Sequence, residues 1–559
     1  VLRMEKLRVG IIGCGPSGLV TLKELIEEGH EAVIFEKSNV IGGLFKTVYQ
    51  EGYMVSSNLI TMFSDFVGQN ADELLKKPRM WSFVEYSQYL NDYAEHFQLK
   101  SSIQFGSAVQ TIWKDLKTGK WKMRVKSGEN YEEESVHIFD RIVICSGTHQ
   151  TRSMPNFIGQ DRYQGQIKHL QDIKQFNEFA GHNVCIVGSG EAASDMTLAA
   201  AQNGKSSFIS IRQDHGVLVP RYRYGPHGPA DLITSRVHHS IPVAFNVFHS
   251  YVFLLLMYFK AHIYSLYTGI DQKVAKTLIK MNLKQIKTSN MISTYGTKNA
   301  NLVEAIVHHR CERKPGIREL TEKKVIFDDG SEEVVDLIVC CTGFRNEFQF
   351  LDTVDKEADP THAKIVCKVG KEARISHDLY KHCIHPDTGS ELFFVGFVRP
   401  AFGAIPPLSE MQARWCALLC SNKVKLPDKE TIVRQCKQYV DYLESQFTPY
   451  RTDRIVTLVD HVAYSDDISR SIGCRPNMIK LFFTEPYIWI KCMCGPMMNA
   501  QYRLVGPHNK PEQARQVLRE AKWIKHINLL FLFMLNFYAL FWFCGLESCK
   551  PPTWYAISQ

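Results

Sequence analysis

Paired Cys-x-x-Cys motifs are absent from the 559 residues, so no finger-type zinc site is encoded. No Gly-x-Ser-x-Gly elbow, no His-Glu-x-x-His helix and no evident nucleophile–base triad is present either, which removes the common hydrolase and metalloprotease routes. Nothing marks a metal site. A lysine–arginine run is also missing: the net charge of +8 is spread along the chain. That is mild basicity, compatible with an anionic cofactor or a membrane surface, and not a nucleic-acid footprint. No low-complexity block interrupts a globular composition of 45% hydrophobic and 22% charged residues. No secretory leader precedes the first apolar run, and Met4 is a candidate natural start. The 16 cysteines include Cys185, Cys340 and Cys341 inside strand-like apolar runs, and are expected as buried reduced thiols of a cytosol-facing protein. A chain of this length exceeds one ordinary core, so two or three domains are expected.

What is present organises around Val9-Gly10-Ile11-Ile12-Gly13-Cys14-Gly15-Pro16-Ser17-Gly18. A strand-like run ends on Gly-x-Gly-x-x-Gly and passes at once into a helical segment, and Glu36 closes the next apolar run, Ala32 to Phe35. Gly13 allows the tight turn, Gly15 admits a pyrophosphate against the backbone, and Gly18 lets helix and strand pack closely. The free N–H groups of the helix start favour phosphate, and Glu36 is placed to accept ribose hydroxyls. Ile41-Gly42-Gly43-Leu44-Phe45 follows; its glycine pair is either a simple loop or a close pass along a cofactor's phosphates. Val55-Ser56-Ser57-Asn58 ends a further extended segment.

A second fingerprint lies at Gly188-Ser189-Gly190-Glu191-Ala192-Ala193-Ser194-Asp195, with Ala193 at the helix-packing position. Its following strand ends on Arg212, where the first unit has Glu36. An acid there favours a free ribose hydroxyl and an arginine a 2′-phosphate, so the first site is read as FAD and the second as NADPH. Glu191 suits the helix dipole but crowds a pyrophosphate. Each block closes on the same pattern: Asp140 to Gly147 and Asp336 to Gly343 both read Asp-x-Ile-Val-x-Cys-Ser/Thr-Gly. Two related nucleotide domains are therefore expected in one chain.

Residues 232–300 break the α/β rhythm and hold an apolar stretch, Ala244 to Phe259, read as a buried or an interfacial helix. Ile527 to Leu546 is a stretch of 20 residues without a charge. As a helix it would reach about 30 Å, the thickness of a bilayer's hydrocarbon core. Lys522, Lys525 and His526 precede it, which favours a cytosolic N-terminal side.

These features together resemble the flavin-containing monooxygenases, nearly end to end. Tyr163-Gln164-Gly165-Gln166-Ile167-Lys168-His169 is similar to that family's F-x-G-x-x-x-H signature, with Ile173 where an aromatic closes it. Leu379 to His382, Gly403-Ala404-Ile405-Pro406 with Ser409-Glu410-x-Gln412-x-Arg414-Trp415, and Gly495-Pro496 with Gln501 to Pro507 look like the animal, membrane-bound branch. Glu191-Ala192-Ala193 replaces the family's usual Asn-Ser-Gly.

The resemblance implies an α/β fold of two Rossmann-like domains, with the NADPH domain (156–330, containing the helical insertion 232–300) inserted in a discontinuous FAD domain (1–155 and 331–445). A C-terminal region, 446–526, and a transmembrane anchor, 527–546, complete it. FAD is expected on Gly13, Cys14, Gly15, Pro16, Ser17, Gly18, Glu36, Gly43, Leu44, Phe45, Ser57, Asn58, Thr342 and Gly343. NADPH is expected on Gly188, Gly190, Ala192, Ala193, Ser194, Asp195 and Arg212. Asn58 matches the family's asparagine beside flavin and nicotinamide. The implied reaction passes a hydride from NADPH to the flavin and adds O2 to give a C4a-hydroperoxide, which oxygenates nitrogen or sulfur of a small lipophilic amine or sulfide. Alternatives are Baeyer–Villiger oxygenation of ketones, an uncoupled oxidase releasing hydrogen peroxide, and a non-catalytic membrane redox sensor or scaffold. The implied location is the endoplasmic reticulum membrane, facing the cytosol; the oligomeric state, a homo-oligomer included, is left open.

Overall fold

The computed structural model describes residues 6–212, 217–222, 228–240, 255, 258, 260–288, 296–400, 403–447, 458–525, 528–530 and 532–534. Two five-stranded parallel sheets, built to one plan, dominate it. In the first, β1 (Arg8–Ile12) is central, followed by α1 (Pro16–Glu27) and β2 (Glu31–Phe35). β3 (Arg141–Ile144) pairs on the other side of β1, with Leu392–Phe394 beyond β3 and Ile103–Gln104 beyond β2. Val9, Ile11, Ile34, Val143 and Phe393 are buried, as strands covered on both faces by other layers require.

The second sheet repeats the plan. β4 (Asn183–Val187), α2 (Glu191–Asn203) and β5 (Ser206–Ser210) stand where β1, α1 and β2 stand in the first, and β6 (Leu337–Cys340) takes the place of β3. Gln166–His169 pairs beyond β6 and Glu312–Lys314 beyond β5. In each unit a three-stranded antiparallel meander precedes the closing strand: residues 108–139 in the first, 317–334 in the second. The repeated Asp has a definite task. Asp140 N–H donates to Arg8 O and the Asp140 carboxylate accepts Arg8 N–H, both at 2.8 Å; Asp336 does the same to Asn183, both at 2.9 Å. Each aspartate thus pins the closing strand in register with its fingerprint strand.

The return to the first domain, expected at residue 331, comes later. β6 pairs with both β4 and Gln166–His169, so Leu337–Cys340 completes the second sheet; the chain re-enters the core of the first unit at Phe348, Phe350 and Leu351 and its sheet at Leu392–Phe394. The outgoing and returning linkers pair with one another, Thr151–Arg152 antiparallel to Phe344–Arg345. The described residues 458–525 of the C-terminal region are not an appendage. Val462, Ile468, Cys474, Ile488, Tyr502 and Leu518 share one apolar core with Val9, Leu19 and Leu22 of the first unit. The described part of the insertion is helical, at Arg236–Ser240, Ala261–Thr268 and Gln272–Thr288. Most of Ala244–Phe259 and of the expected anchor 527–546 lies outside the described residues. Among the described residues no helix is long and apolar enough to cross a membrane. Their cysteines are free and mostly buried, as the apolar spacing predicts.

Candidate functional site

The two fingerprint turns superpose in conformation. Gly15 caps α1 at φ −80°, ψ −173°, and Gly190 caps α2 at φ −83°, ψ −172°. Gly13 and Gly188 both take positive φ, 102° and 126°, which favours glycine. A Cβ would bring Gly13 to 2.8 Å from the Cys145 carbonyl oxygen and Gly188 to 2.6 Å from that of Cys341. A Cβ on Gly190 would meet nothing within 4 Å, and one on Gly15 only the Gly43 Cα at 3.9 Å. Both helix starts therefore present bare backbone and open space, the cradle a dinucleotide pyrophosphate needs. Pro16, at the first position of α1, has no N–H to leave unsatisfied.

Glu36 closes on the turn itself. Its Oε2 accepts Cys14 N–H at 2.7 Å and its Oε1 accepts Ser38 N–H and Oγ–H at 2.8 Å, leaving further lone pairs for ribose hydroxyls. Ser17 Oγ lies 3.0 Å from Ser409 Oγ on α3 (Ile405–Cys420), the helix that packs along α1. Gly42 N–H donates to Cys14 O, and Gly43, at φ 57°, brings the loop against Gly15 before the short helix Leu44–Thr47. Phe45 stands edge-on to Tyr86 at 4.8 Å. Arg212 is exposed at the end of β5, where a 2′-phosphate would be read.

Four expected site residues are also engaged by protein groups. Asn58 is fully buried, and its amide is tied to the neighbouring segment: Nδ2 donates to Leu74 O on the short helix Ala71–Lys76 and Oδ1 accepts Arg79 N–H, both at 2.9 Å. Its side chain holds that helix and the turn after it in place. Asp195 is engaged by protein groups, namely Tyr49 at 3.0 Å, both terminal nitrogens of Arg221, and the amides of Asn299 and Asn301. It ties α2 to the first unit through Tyr49. Thr342 and Gly343, assigned from sequence to the FAD site, end β6 beside the second fingerprint. There Thr342 Oγ donates to Ser153 O, and Gly343 O accepts from Ser153 N–H and from His169 Nε2. They belong to the hinge between units, because β6 pairs with β4 and not with β1.

The residues that sequence reasoning missed lie where the units meet. Lys298, buried, donates its backbone N–H to Glu191 Oε1 at 2.6 Å and its ammonium to Gly403 O at 3.3 Å. It thereby bridges the second fingerprint to the start of α3. Burial pushes the Lys298 ammonium down against the pull of Asp231 and Glu191, and pushes the Asp231 carboxyl up. Asp231 accepts Ser57 N–H at 2.6 Å. Around this junction several enclosed polar atoms have no protein partner: Ser57 Oγ, Asp231 Oδ1, Glu191 Oε2 and both ring nitrogens of His461. Buried polar atoms rarely stay unpaired, so the junction fits polar ligands at this point, with flavin and nicotinamide the groups its two cradles would deliver. Lys298 and Asp231 sit in no fingerprint, and only tertiary contact singles them out.

The flavin-binding monooxygenase-like family model matches residues 6–529. This chain belongs to that family. Among curated relatives, it is 32% identical over 527 residues to a 4-hydroxybenzoate brominase (decarboxylating) of Marinomonas mediterranea, covering 92% of each chain. It is 28% identical over 534 residues to flavin-containing monooxygenase 5 of Homo sapiens, again covering 92% of each. Among solved structures, S-allyl-L-cysteine S-oxygenase from Allium sativum shares the fold at TM-score 0.58 and 20% identity, covering 92% of this chain and 99% of that one.

The family's signature segments have physical explanations here. Gly165 has no room for a Cβ, which would stand 2.4 Å from Tyr163 Oη, and that hydroxyl donates to Val335 O. His169 joins its strand to the hinge at Gly343 O, 3.1 Å away. Ile173 fills the second core with no exposed surface. The segments at 409–415 and 495–507 are partners of each other: Arg414 donates to Tyr502 O and Pro507 O, while Arg503 and Asn499 reach Glu410.

Proposed function

We propose that this chain is an FAD- and NADPH-dependent monooxygenase that transfers one oxygen atom of O2 to a soft nucleophile on a small lipophilic substrate, an amine or a sulfide. The observation carrying this reading is the pair of like fingerprint turns with opposite residues at the ends of β2 and β5, Glu36 and Arg212. Bound flavin would supply the redox chemistry, accepting a hydride and activating O2. The protein's part is to seat the two dinucleotides on α1 and α2, to bring their reactive ends to the buried junction, and to exclude water there. Flavin-loaded full-length protein is expected to consume NADPH and O2 with matching formation of an N-oxide or sulfoxide. Absence of bound flavin, or NADPH use matched by hydrogen peroxide and no product, would overturn it; ester formation from simple ketones would assign it to Baeyer–Villiger chemistry.

A second reading is favoured by the brominase, the more identical of the two relatives. Bromide is itself a soft nucleophile, so the same oxygen donor would serve a halide. Bromide-dependent product formed from a phenolic acid in the same assay would decide for that reading.

The membrane location belongs to this proposal too. The apolar segment 527–546 supports it. So do Ile479, Phe483 and Tyr487, which are 75%, 76% and 54% exposed, and Leu530 and Phe533, 56% and 69% exposed at the start of that segment. In microsomes the full chain is expected in the membrane pellet after an alkaline carbonate wash, with its catalytic part open to protease from the cytosolic side of the endoplasmic reticulum. Recovery in the supernatant, or protection from the protease, overturns this assignment.

A further inference from the structure

The acid at the start of α2 has no counterpart at the start of α1, where Pro16 occupies the same place. Glu191 follows the capping Gly190 directly and is the first residue of the helix onto which a dinucleotide pyrophosphate would dock. One carboxyl oxygen is accounted for: Oε1 accepts Lys298 N–H at 2.6 Å. The other, Oε2, is enclosed and has no hydrogen-bond partner. An ionised carboxylate there would face a pyrophosphate across a dehydrated gap, a like-charge contact. A protonated carboxyl would offer Oε2–H as a donor.

Resting on the reading that α2 seats NADP(H), we propose that Glu191 is a proton-linked gate on that site. Its carboxyl must be protonated for the pyrophosphate to seat, and Oε2–H is then the donor that meets it.

The surroundings support the neutral form. Among the described residues the groups facing Glu191 are Lys298 and Asn299 from the segment before the helix Asn301–His308, Arg221 from the segment after β5, and Asp195 one turn along α2. Arg221 and Asp195 neutralise each other in a two-pronged ion pair at 3.0 and 2.9 Å, and Asn299 is an amide that donates to the Glu191 backbone carbonyl. The Lys298 ammonium donates to Gly403 O at 3.3 Å, and acts on Glu191 by its charge. Burial therefore prevails over the lysine's pull and pushes the Glu191 carboxyl up to about 6. Above that pH the free protein carries the ionised form, so binding must take up a proton. Below it the proton is already present.

The test is calorimetric titration of the flavin-loaded full chain with NADP+ at pH 6 to 8.5, each pH in two buffers of different ionisation enthalpy. Comparing the buffers counts the protons taken up on binding. The expected result is uptake that approaches one proton per NADP+ above pH 7, relative to Glu191→Gln, with a dissociation constant rising toward tenfold per pH unit, the limit for one linked proton. Glu191→Gln keeps the shape and a donor, and is expected to bind NADP+ tightly across the range with unchanged flavin content. Proton uptake equal in the two proteins overturns the gate while leaving the NADPH reading intact. Failure of both proteins to bind NADP+ at any pH overturns that reading, and the gate with it.

Discussion

Replacing Arg503 by methionine is expected to cost about 3–5 kcal/mol of stability and to strip the protein of flavin. Arg503 has no exposed side-chain surface, and its guanidinium contacts Glu24 at 2.6 Å, Glu410 at 3.1 Å and Asp65 at 3.3 Å, all three also buried. It further donates to Ser64 Oγ and to His508 O. Lys23 and Lys510 still pair with Asp65 when Arg503 is gone, and Lys23 with Glu24. Among the described residues Glu410 pairs with no other cation, so its buried carboxylate would lose its compensating charge. A buried ion pair often adds little net stability, but breaking one by removing a single partner is severe, since the remaining charge is left desolvated. The loss reaches the cofactor because Glu24 lies on α1, Glu410 on α3, and Ser64 and Asp65 follow the Asn58 turn. Thermal midpoint and flavin-to-protein ratio are the measurements. Adding Glu410→Gln to Arg503→Met is expected to recover part of the loss, as two members of one network should. A variant with wild-type midpoint and flavin content would refute this account of the cluster.

Two glycine-to-alanine changes are expected to part the cofactors. In Gly18→Ala the new Cβ would stand 1.9 Å from the Gly13 carbonyl oxygen. This is backbone against backbone inside the tight turn, with no flexible side chain to give way. Loss of bound flavin and of soluble folded protein is expected. Gly190→Ala is different: its Cβ meets no protein atom within 4 Å, and φ −83° suits any residue. The fold and the flavin should survive, while the methyl fills the space a pyrophosphate must approach. A rise of tenfold or more in KM for NADPH is expected, equivalent to about 1.4 kcal/mol. Steady-state kinetics together with flavin content and melting midpoint check both. An unchanged KM for NADPH in Gly190→Ala would show that α2 does not seat the cofactor.

The glycine turns, the acid and arginine that differ between them, and the repeated Asp-x-Ile-Val-x-Cys motif were legible in sequence because each acts through a few neighbouring residues. A positive φ, a helix start and a strand's closing aspartate are local demands, and local demands leave fixed spacings. Asn58 is expected beside flavin and nicotinamide from the family resemblance, and Asp195 at NADPH from its place in the second fingerprint. The protein groups that hold them, Leu74 and Arg79 for one, Tyr49 and Arg221 for the other, come from segments whose approach no spacing encodes.

By itself, then, the sequence determined two Rossmann-like units and their order. Only the tertiary structure decided that Leu337–Cys340 closes the second sheet, since like apolar runs leave open which fingerprint strand each joins until contacts such as that of Asp336 with Asn183 are made. It alone placed Lys298, Asp231, Ser57 and His461 around one junction, and bound the C-terminal Arg503 to the helix that begins at Gly15. Those contacts join residues far apart in the chain, and burial, which makes their charges consequential, is a property of the packed molecule and not of any segment of it.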